Sequence, residues 1–405
     1  MAALAVTSAS GRAPALIEVR DESAFAAAAA ALRGSGGTIV LRPGSYDELV
    51  VGPRSSRRLR IVGSRGVRVQ RILLDRTQYV SLERLRVSPL EGDGGVDVRA
   101  SSHVELDRVL VTAAGTPFRV GVTLPNSTDV VIRRSVFTHC GDRSPAWANC
   151  LLLSWVKHLT VEDSWFHDCY GCDFVHGRWA LDLRLLRNRF ERALPCRIGR
   201  VRCGHQDLVE VFAGNGLTVI GNHFGVYEVG GAQLYLTNAI DHVRVENNVF
   251  IGSDPLVPGY RSRVAMIIGS RGFLRVPHDV VVVNNTILTG APRNDGYAGS
   301  IRMSSMYGAV PRRERPVLAN NIIGLLEVPQ HVCAEAQASI ANVVLAGTGC
   351  SSSDRVGDPR LDVDGRPTAA STLVIDRGSR RYAPAIDVTG RPRGREPDIG
   401  AYEFR

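Results

Sequence analysis

Acidic, amide and imidazole side chains stand at two fixed distances before a repeated phenylalanine. Seventeen residues before Phe166, Phe190, Phe224 and Phe250 come Asn149, Asp173, Asp207 and Gln233. Fourteen residues before the same phenylalanines come Leu152, His176, Glu210 and Leu236. If each set forms one column on the folded chain, three carboxylates and an imidazole lie together. Carboxylates in close contact raise the pKa of one of them, and a neighbouring imidazole can share the proton, so this pattern predicts acid–base chemistry.

The same alignment identifies the candidate catalytic residues. The alternation around residue 210 points the flanking valines inward and Glu210 outward, beside His176 on the preceding repeat. His205 is a second imidazole at the rim, and Tyr235 faces outward if its strand is shifted by one residue relative to the phenylalanine count. The full set is His176, His205, Asp207, Glu210, Asp173 and Tyr235. Acids and histidines at turns also cap backbone amides, which is the competing interpretation.

Arginines near this predicted cluster suit an acidic substrate. The repeat that ends at Phe224 contains an insertion in which two cysteines flank Arg197, Arg200 and Arg202. Arg178 is expected to face the same way. A guanidinium binds a carboxylate through two hydrogen bonds, and neutralising the carboxylate of a uronate acidifies its C5 proton. Solvated surface arginines without a functional role are the alternative.

Further side chains are candidates for substrate contacts or for a metal site. Trp155 and Trp179 can stack on sugar rings, and Asn149 and Gln233 can accept hydrogen bonds near the same strand ends. A divalent cation, commonly calcium, would find oxygen ligands in the three carboxylates of the predicted cluster, Asp173, Asp207 and Glu210.

The elements that must position these side chains are short strands that recur along the chain. Alternating apolar and polar residues precede each of Phe137, Phe166, Phe190, Phe224 and Phe250, and the intervals between these phenylalanines are 29, 24, 34 and 26 residues. Alternation with period two indicates strands, and several strands and turns in each repeat are typical of a parallel β-helix. Successive coils then lie about 4.7–4.9 Å apart, so equivalent residues of neighbouring coils come into contact.

Two columns inside the predicted coils have structural roles. The phenylalanines are expected to form an internal stack. A polar ladder is expected from the residues two positions before each phenylalanine: Ser135, Ser164, Asn188, Asn222 and Asn248. Amide side chains in such a ladder bond from coil to coil and stabilise turns, so no chemistry is assigned to them.

The two ends of the chain differ from the repeat. Residues 16–48 contain an alanine-rich helix and are predicted to cover the open first coil. Residues 49–327 are predicted to form the coils, with residues 1–15 as a leader remnant or flexible N-terminus and residues 328–405 as a last coil and a wrapping tail. One elongated domain is expected, because solenoids grow along one axis.

Composition and charge exclude some classes of protein. The 405 residues are 44% hydrophobic and 22% charged, which is typical of a soluble globular chain. No run approaches the ~18 apolar residues of a membrane span. The net charge of +9 favours an anionic partner. Nucleic acid is not expected, because basic runs interleaved with aromatics and the usual binding motifs are absent. A monomer is expected.

The eight cysteines fall into four pairs that are close in sequence. An even number with local partners indicates disulfides and therefore an oxidising, secreted or extracytoplasmic location. The expected pairs are Cys140–Cys150, Cys169–Cys172, Cys196–Cys203 and Cys333–Cys350. Zinc is the alternative, but the CxxC motif at 169–172 has no second CxxC at a matching distance.

Three segments carry a resemblance to a known group of proteins. They are the N-terminal helix followed by GGTIVLRPGSY at 36–46, the Asn-x-Phe coil endings and the closing DIGAYE at 398–403. Together they resemble secreted right-handed parallel β-helix proteins of the pectate-lyase-like superfamily, over nearly the whole chain. The resemblance implies an all-β right-handed parallel β-helix with a carbohydrate-facing groove. It does not choose the reaction, because that superfamily includes lyases, hydrolases, epimerases, adhesins and phage tailspikes.

The function expected first is that of a secreted enzyme that cleaves an anionic, uronate-containing polysaccharide by β-elimination. The arginines would neutralise the carboxylate, while His176, His205 or Tyr235 would remove the C5 proton and return one to the leaving oxygen. The same groups without elimination would perform C5 epimerisation. Glycoside hydrolysis would instead divide acid and base roles among the three carboxylates. A non-catalytic glycan-binding or surface scaffold protein is the remaining alternative.

Overall fold

The computed structural model describes most of the chain. The described residues are 15–54, 57–90, 94–113, 118–141, 148–194, 197–198, 201–202, 207–227, 231–252, 264–269, 275–289, 300–304, 307, 309–325 and 329–405. Side chains are described for all of these except residues 194, 197–198, 201–202 and 329–331.

The described strands form one continuous sheet of 31 members that winds around the molecule. Its paired strands run parallel. Each long strand bends at a corner, so that its two halves pair with different strands and belong to different faces. Three faces result. Face 1 consists of β1 Leu16–Val19, β2 Gly37–Leu41, β4 Leu59–Val62, β6 Gln78–Glu83, β9 Ser102–Asp107, β12 Thr128–Arg133, β15 Lys157–Glu162, the second halves of β17 Cys172–Leu186, β21 Val209–Ile220 and β23 Leu234–Glu246, then β26 His278–Val283, β29 Val317–Ala319 and β31 Ala338–Ile340.

Face 2 carries the repeated phenylalanines. It consists of the first halves of β3 Gly44–Val51 and β5 Val67–Asp75, then β7 Arg86–Val87, β10 Leu110–Thr112, β13 Val136–Thr138, β16 Trp165–Tyr170, β18 Arg189–Leu194, β22 His223–Phe224, β24 Val249–Phe250, β27 Thr286–Ile287, β30 Ile322–Leu325, β32 Val343–Ala346 and β33 Arg355–Val356.

Face 3 carries the residues predicted to do chemistry. It consists of the second halves of β3 and β5, then β8 Gly94–Arg99, β11 Val120–Pro125, β14 Ala148–Ser154, the first halves of β17, β21 and β23, then β25 Met266–Ile268 and β28 Ile301–Met303. A separate antiparallel pair, β19 Arg197–Ile198 and β20 Val201–Arg202, lies between β18 and β21 in sequence. The parallel β-helix expected from the sequence is therefore confirmed.

The core contains the two predicted columns. Neighbouring phenylalanine rings from Phe137 to Phe250 stack with centroids 4.5–5.1 Å apart. In the polar ladder, Asn248 Oδ1 accepts hydrogen bonds from the backbone and side-chain amides of Asn222 at 2.9 and 3.0 Å. The ladder continues beyond the predicted members to Asn285 and Asn321. Because each buried amide bonds to the next coil, the ladder satisfies polar groups at the turns, as expected.

The N-terminal helix is α1, Glu22–Ala31. The Asp21 side chain accepts a hydrogen bond from the Ala24 amide at 2.7 Å, which satisfies one of the free amides at the helix start. Phe25 and Ala28 are buried in the main core. Strand β2 already pairs with β4 in parallel, so the coils begin before the boundary expected at residue 49.

The C-terminal segment packs against the outer side of several coils. A short helix, α2 Pro329–Glu335, precedes β31, and a 3-10 turn spans Arg312–Glu314. Val374 and Ile399 of the tail bury the outward residues Ile322 and Val343 of face 2. The tail also contacts Asn247, since Asn247 Nδ2 donates to the Ile386 carbonyl at 2.8 Å. The expected wrapping of the last coil therefore extends over earlier coils as well.

Three of the four expected disulfides lie in the described part of the chain. They join Cys140 to Cys150, Cys169 to Cys172 and Cys333 to Cys350. Cys196 and Cys203 lie outside the described residues. Among the helices of the described part, none is long and apolar enough to cross a membrane.

Candidate active site

Strands β17 and β21 bring His176 and Glu210 into contact. The two strands are parallel neighbours on successive coils. Their register places Val175 opposite Val209 and His176 opposite Glu210. Val209 and Val211 are buried, so Glu210 projects from the other side of the strand, as the alternation predicted. The phenylalanine count therefore gave the correct alignment of these two coils.

Asp173, His176 and Glu210 form a compact buried cluster, hereafter the Asp–His–Glu cluster. His176 Nδ1 lies 3.1 Å from Asp173 Oδ2 and 3.1 Å from Glu210 Oε2. The contact with Asp173 has hydrogen-bond geometry, so Nδ1–H donates a hydrogen bond to Asp173 Oδ2. The three residues are only 2%, 4% and 1% exposed, respectively. An imidazole held this way has a fixed tautomer, and its other nitrogen, Nε2, is left for chemistry.

The electrostatics of the Asp–His–Glu cluster follow from burial and charge. Burial is the largest cause that raises the pKa of Asp173, and the neighbouring Glu210 raises it further. Burial alone would lower the pKa of His176, but Asp173 and Glu210 together outweigh it and raise the pKa of His176 to about 9. The sequence predicted a raised carboxyl pKa from repulsion between carboxylates, whereas removal from water contributes more.

A pocket of about 410 Å³ opens beside His176 on face 3. Its polar lining includes Arg119, Asn149, Ser154, His176 and Arg178. Arg178 Nε donates to His176 Nε2 at 3.3 Å, which requires an unprotonated Nε2. Protonation of Nε2 and this Arg178 contact therefore exclude each other. Asn149 is 6% exposed, and no donor in the described part of the chain bonds to its Oδ1, so a ligand hydroxyl could supply that hydrogen bond.

Asp207 lies one coil from Asp173, as predicted, but its carboxylate has a different role. Asp173 Oδ1 accepts the Asp207 amide at 2.9 Å, and Asp207 Oδ1 in turn accepts the Ala232 amide. Asp207 is fully buried and is absent from the group of side chains whose ligand atoms converge around His176. Its contacts are those of a residue that stabilises turns from coil to coil, and its catalytic role stays a prediction.

The next coil is displaced by one residue, which corrects the position predicted for Gln233. Strands β21 and β23 pair with Glu210 opposite Tyr235, and their register shifts between Phe212 and Gly214. Tyr235 therefore faces outward beside Glu210. Gln233 is fully buried and donates to the Gly225 carbonyl at 2.7 Å, among other backbone carbonyls. A substrate contact by Gln233 is not compatible with this placement.

The structure gives the positions of some of the remaining predicted site residues. Trp155 and Trp179 follow directly after Ser154 and Arg178, which line the pocket. Arg197 and Arg202 lie on the β19–β20 pair, but their side chains are outside the described set. Arg200 and His205 lie outside the described residues. The roles expected for these arginines and for His205 stay predictions.

Among the polar residues that line the pocket, sequence reasoning missed Ser154 and also the cationic Arg119. It precedes Val120, which lies opposite Asn149 on the neighbouring coil. A signal was present, because Val120 stands seventeen residues before Phe137, as Asn149 stands before Phe166. Extending the alignment back by one coil would have indicated the neighbourhood of Arg119.

The calcium site expected from three carboxylates does not fit this geometry. Calcium prefers six to eight oxygen ligands at about 2.3–2.6 Å. In the Asp–His–Glu cluster, an imidazole nitrogen contacts both carboxylates at 3.1 Å, and Asp207 is not part of the group. In this cluster His176 Nδ1 donates a hydrogen bond to Asp173 Oδ2, so this nitrogen does not serve as a cation ligand.

Comparisons with known proteins find similarity at the level of structure. No family model matches the sequence, and no curated protein matches it. Pectate lyase Pel9A is 13% identical, with 98% of both chains covered and a TM-score of 0.45. The A-module of the mannuronan C-5 epimerase AlgE6 from Azotobacter vinelandii is 14% identical, with 84% of this chain and 94% of the module covered and a TM-score of 0.35. PfbA, a surface adhesin of Streptococcus pneumoniae, is 10% identical, with 80% of both chains covered and a TM-score of 0.41. These matches are similarities of structure at low sequence identity.

Proposed function

We propose that this protein is a secreted enzyme that cleaves an anionic, uronate-containing polysaccharide by β-elimination. The observation that carries the proposal is the arrangement of His176. Its Nδ1 lies 3.1 Å from each of two buried carboxylates, and the residue lines a pocket that also contains Arg178 and Arg119. A positioned base beside cationic groups is what abstraction of a proton next to a carboxylate requires.

His176 is the base in this proposal. Asp173 accepts a hydrogen bond from Nδ1–H and thereby orients the ring, which leaves Nε2 as the basic nitrogen. Asp173 and Glu210 both raise the pKa of His176, so the imidazole is a stronger base than a free histidine. Both carboxylates act through His176 and are therefore positioning residues.

Arg178 binds the substrate carboxylate in this proposal. Its guanidinium is exposed at the pocket and can form two hydrogen bonds with a carboxylate. Neutralising that carboxylate stabilises the negative charge that develops when the C5 proton leaves. Arg178 must also release Nε2 before the base acts, because Nε2 cannot accept two protons at once. Substrate binding and activation of the base are thus linked through one side chain.

The elimination itself moves one proton and breaks one bond to oxygen. The C5 proton passes to His176 Nε2, the C4–C5 double bond forms, and the bond from C4 to the leaving oxygen breaks. The leaving oxygen takes a proton from Tyr235, which lies opposite Glu210 on the next coil, or from His176 itself. Return of the proton to C5 from the other side of the ring would instead give epimerisation.

Hydrolysis is less well supported by the same geometry. The ligand oxygens of Asp173 and Glu210 lie within 4.8 Å of each other, and both carboxylates contact His176. An inverting hydrolase places its two carboxyl groups about 6.5–9.5 Å apart with a water between them, and a retaining one places them about 5–5.5 Å apart with one as the nucleophile. Here both carboxylates instead contact the same imidazole. A non-catalytic glycan binder would need the pocket and the arginines but not the buried imidazole.

A product assay tests the proposal. Purified protein is incubated with pectate, alginate, a glycosaminoglycan and neutral glycans. Each reaction is followed by ultraviolet absorbance of unsaturated uronides and by release of reducing ends. The proposal expects both signals on at least one anionic glycan. Reducing ends without absorbance would indicate hydrolysis, and absence of both signals on every glycan would contradict a depolymerising enzyme.

A matched pair of histidine variants tests the base. His158 also contacts a carboxylate through Nδ1, at 3.2 Å from Asp182, but it is exposed on face 1. His176→Ala is expected to lower turnover by roughly 10²–10⁴-fold, the usual contribution of a general base. His158→Ala is expected to leave turnover unchanged. Equal turnover in the two variants would remove His176 from the mechanism.

A further inference from the structure

Two tryptophans stack on the surface beside the pocket. Trp155 and Trp179 are 57% and 48% exposed, yet their rings lie parallel within 8° with centroids 5.1 Å apart. They occupy equivalent corner positions on neighbouring coils, where face 3 turns into face 1. An exposed pair of indoles contributes little apolar burial to the core, so folding alone does not account for it.

The backbone at this corner does not favour tryptophan. Both residues have φ of 57°, in the left-handed region that bulky residues rarely adopt. The equivalent corners of other coils carry non-aromatic side chains, also with positive φ: Arg76, Ala100, Asn126, Ala213 and Asn238. The corner can therefore be built without an aromatic ring, and the two tryptophans call for another reason.

The two tryptophans are next in sequence to residues of the pocket wall. Ser154 and Arg178 line the pocket, and Trp155 and Trp179 are the residues that follow them. On the next coil, the register places Phe212 opposite Arg178 and Gly214 opposite Ala180.

This register places Ala213 opposite Trp179. The side chain of Ala213 is only a methyl group. The next position must be glycine, because a Cβ on Gly214 would lie 2.1 Å from the Ala180 carbonyl oxygen. The column of corner residues thus changes from large rings to small groups on the coil that carries Glu210, which leaves room next to the Trp179 ring.

We propose that Trp155 and Trp179 form a sugar-stacking subsite, which holds the pyranose ring adjacent to the one bound at His176. The apolar C–H face of a pyranose packs on an indole, while its hydroxyls remain available for polar groups. The pocket offers such a group in Asn149 Oδ1, which is buried and lines the same space. This inference rests on the proposed function only in the choice of a polysaccharide as ligand. The subsite would make binding depend on the length of the oligosaccharide.

The experiment measures binding without turnover. His176→Ala protein is titrated with oligogalacturonates, oligomannuronates and cello-oligosaccharides of increasing length by isothermal calorimetry. The same titrations are repeated with Trp179→Ala and Trp155→Ala added. We expect each tryptophan substitution to weaken binding of the longer oligosaccharides about tenfold or more and to leave the shortest one nearly unaffected. Trp179→Phe is expected to restore part of the affinity, because a smaller ring can still stack.

Tyr79 provides a matched control. It is 39% exposed, has φ of 57° and packs against His103 with ring centroids 4.5 Å apart and planes tilted by 33°, but it lies on face 1 and is not among the residues that line the pocket. Tyr79→Ala, added to the His176→Ala protein, is expected to leave the affinity for every oligosaccharide unchanged. The inference is overturned if Trp179→Ala binds long oligosaccharides as tightly as the parent, or if Tyr79→Ala weakens binding equally. Length-dependent loss of binding in a protein that shows no turnover would keep the subsite and reject the enzyme.

Discussion

Single residues of the Asp–His–Glu cluster acquire their properties from neighbours on other turns of the chain. His176 and Asp173 are three residues apart, but Glu210 comes from the next coil. The raised pKa of His176, about 9, means that its charged form is stabilised in the folded protein relative to the ordinary value of 6.5. This contribution to stability is complete below about pH 6.5 and is lost as the pH rises through about 9. The unprotonated form of His176, which is the form that acts as a base, becomes populated as the pH rises through about 9.

Replacing Glu210 tests this electrostatic coupling. Glu210→Gln removes one of the two groups that raise the pKa of His176, so the pKa should fall by roughly one unit or more. Turnover that requires unprotonated His176 should then rise at lower pH than in the parent. The pH profile of kcat/KM and the imidazole signals in an NMR titration measure the shift. Asp182→Asn, next to exposed His158, is the control and should leave the profile in place. An unchanged midpoint in Glu210→Gln would contradict the role given to Glu210.

Calcium binding is tested at the same residues. Because His176 Nδ1 contacts both carboxylates and donates a hydrogen bond to Asp173, we expect no stabilising cation there. The melting temperature should agree to within about 1 °C between millimolar calcium and excess chelator, since a ligand that binds only the folded state would raise it. A calcium-dependent increase that disappears in Glu210→Gln would show that the cluster rearranges to hold the ion.

At the scale of elements, the corners between faces decide which side chains reach the site. Strand β17 runs from face 3 into face 1 without a change of register against β21. Strand β23 contains one additional residue at the same corner, where its register against β21 shifts. Gln233 consequently turns into the core and Tyr235 turns outward. A single extra residue at a corner thus buries the amide of Gln233 and places the partly buried phenol of Tyr235 next to the cluster.

Asp207 tests the distinction between support for turns and catalysis. Its Oδ1 accepts the amide of Ala232, so Asp207→Ala should leave a buried donor without its acceptor and lower the free energy of unfolding by about 1–3 kcal/mol. Asp207→Asn retains Oδ1 and should cost less. Urea unfolding measures both variants, and turnover is compared per folded molecule. If Asp207→Asn folds normally but loses turnover, Asp207 belongs to the catalytic machinery after all.

At the scale of the whole molecule, the solenoid is held by columns that run across the coils. The phenylalanine stack and the asparagine ladder join coils that are 24 to 37 residues apart in sequence. Disulfides add local constraints, such as Cys140–Cys150, which connects the end of one coil to the first strand of the next. The tail between β33 and the C-terminus then buries apolar residues on the outside of face 2. These contacts support one continuous body in which the pocket lies on the side of face 3.

A thiol count tests the cysteine pairing as a whole. The protein is purified from an oxidising compartment, denatured without reductant and treated with a thiol reagent. We expect no reactive thiol, because three pairs are joined and Cys196–Cys203 is predicted to be the fourth. Cys196→Ser should expose one thiol. Two thiols in the parent protein would contradict the predicted Cys196–Cys203 bond.

The sequence by itself determined the coil and most of the cluster. Alternation with period two defines strands locally, and recurrence of the Asn-x-Phe ending defines which residues are stacked, because a parallel solenoid places equivalent positions above one another. Counting from Phe190 and Phe224 therefore placed Asp173, His176 and Glu210 together. This reasoning needs no knowledge of side-chain conformation.

Only the tertiary structure decided the details on which the chemistry depends. The extra residue in β23 leaves the alternation on either side intact, so the pattern does not reveal where the register shifts. Side-chain rotamers decide that Nδ1 of His176 contacts both carboxylates. They also bring Arg178 close to Nε2. The carboxylate of Asp207 bonds to a backbone amide one coil away. A count along the chain assigns residues to columns, but packing between the coils decides where each side chain points.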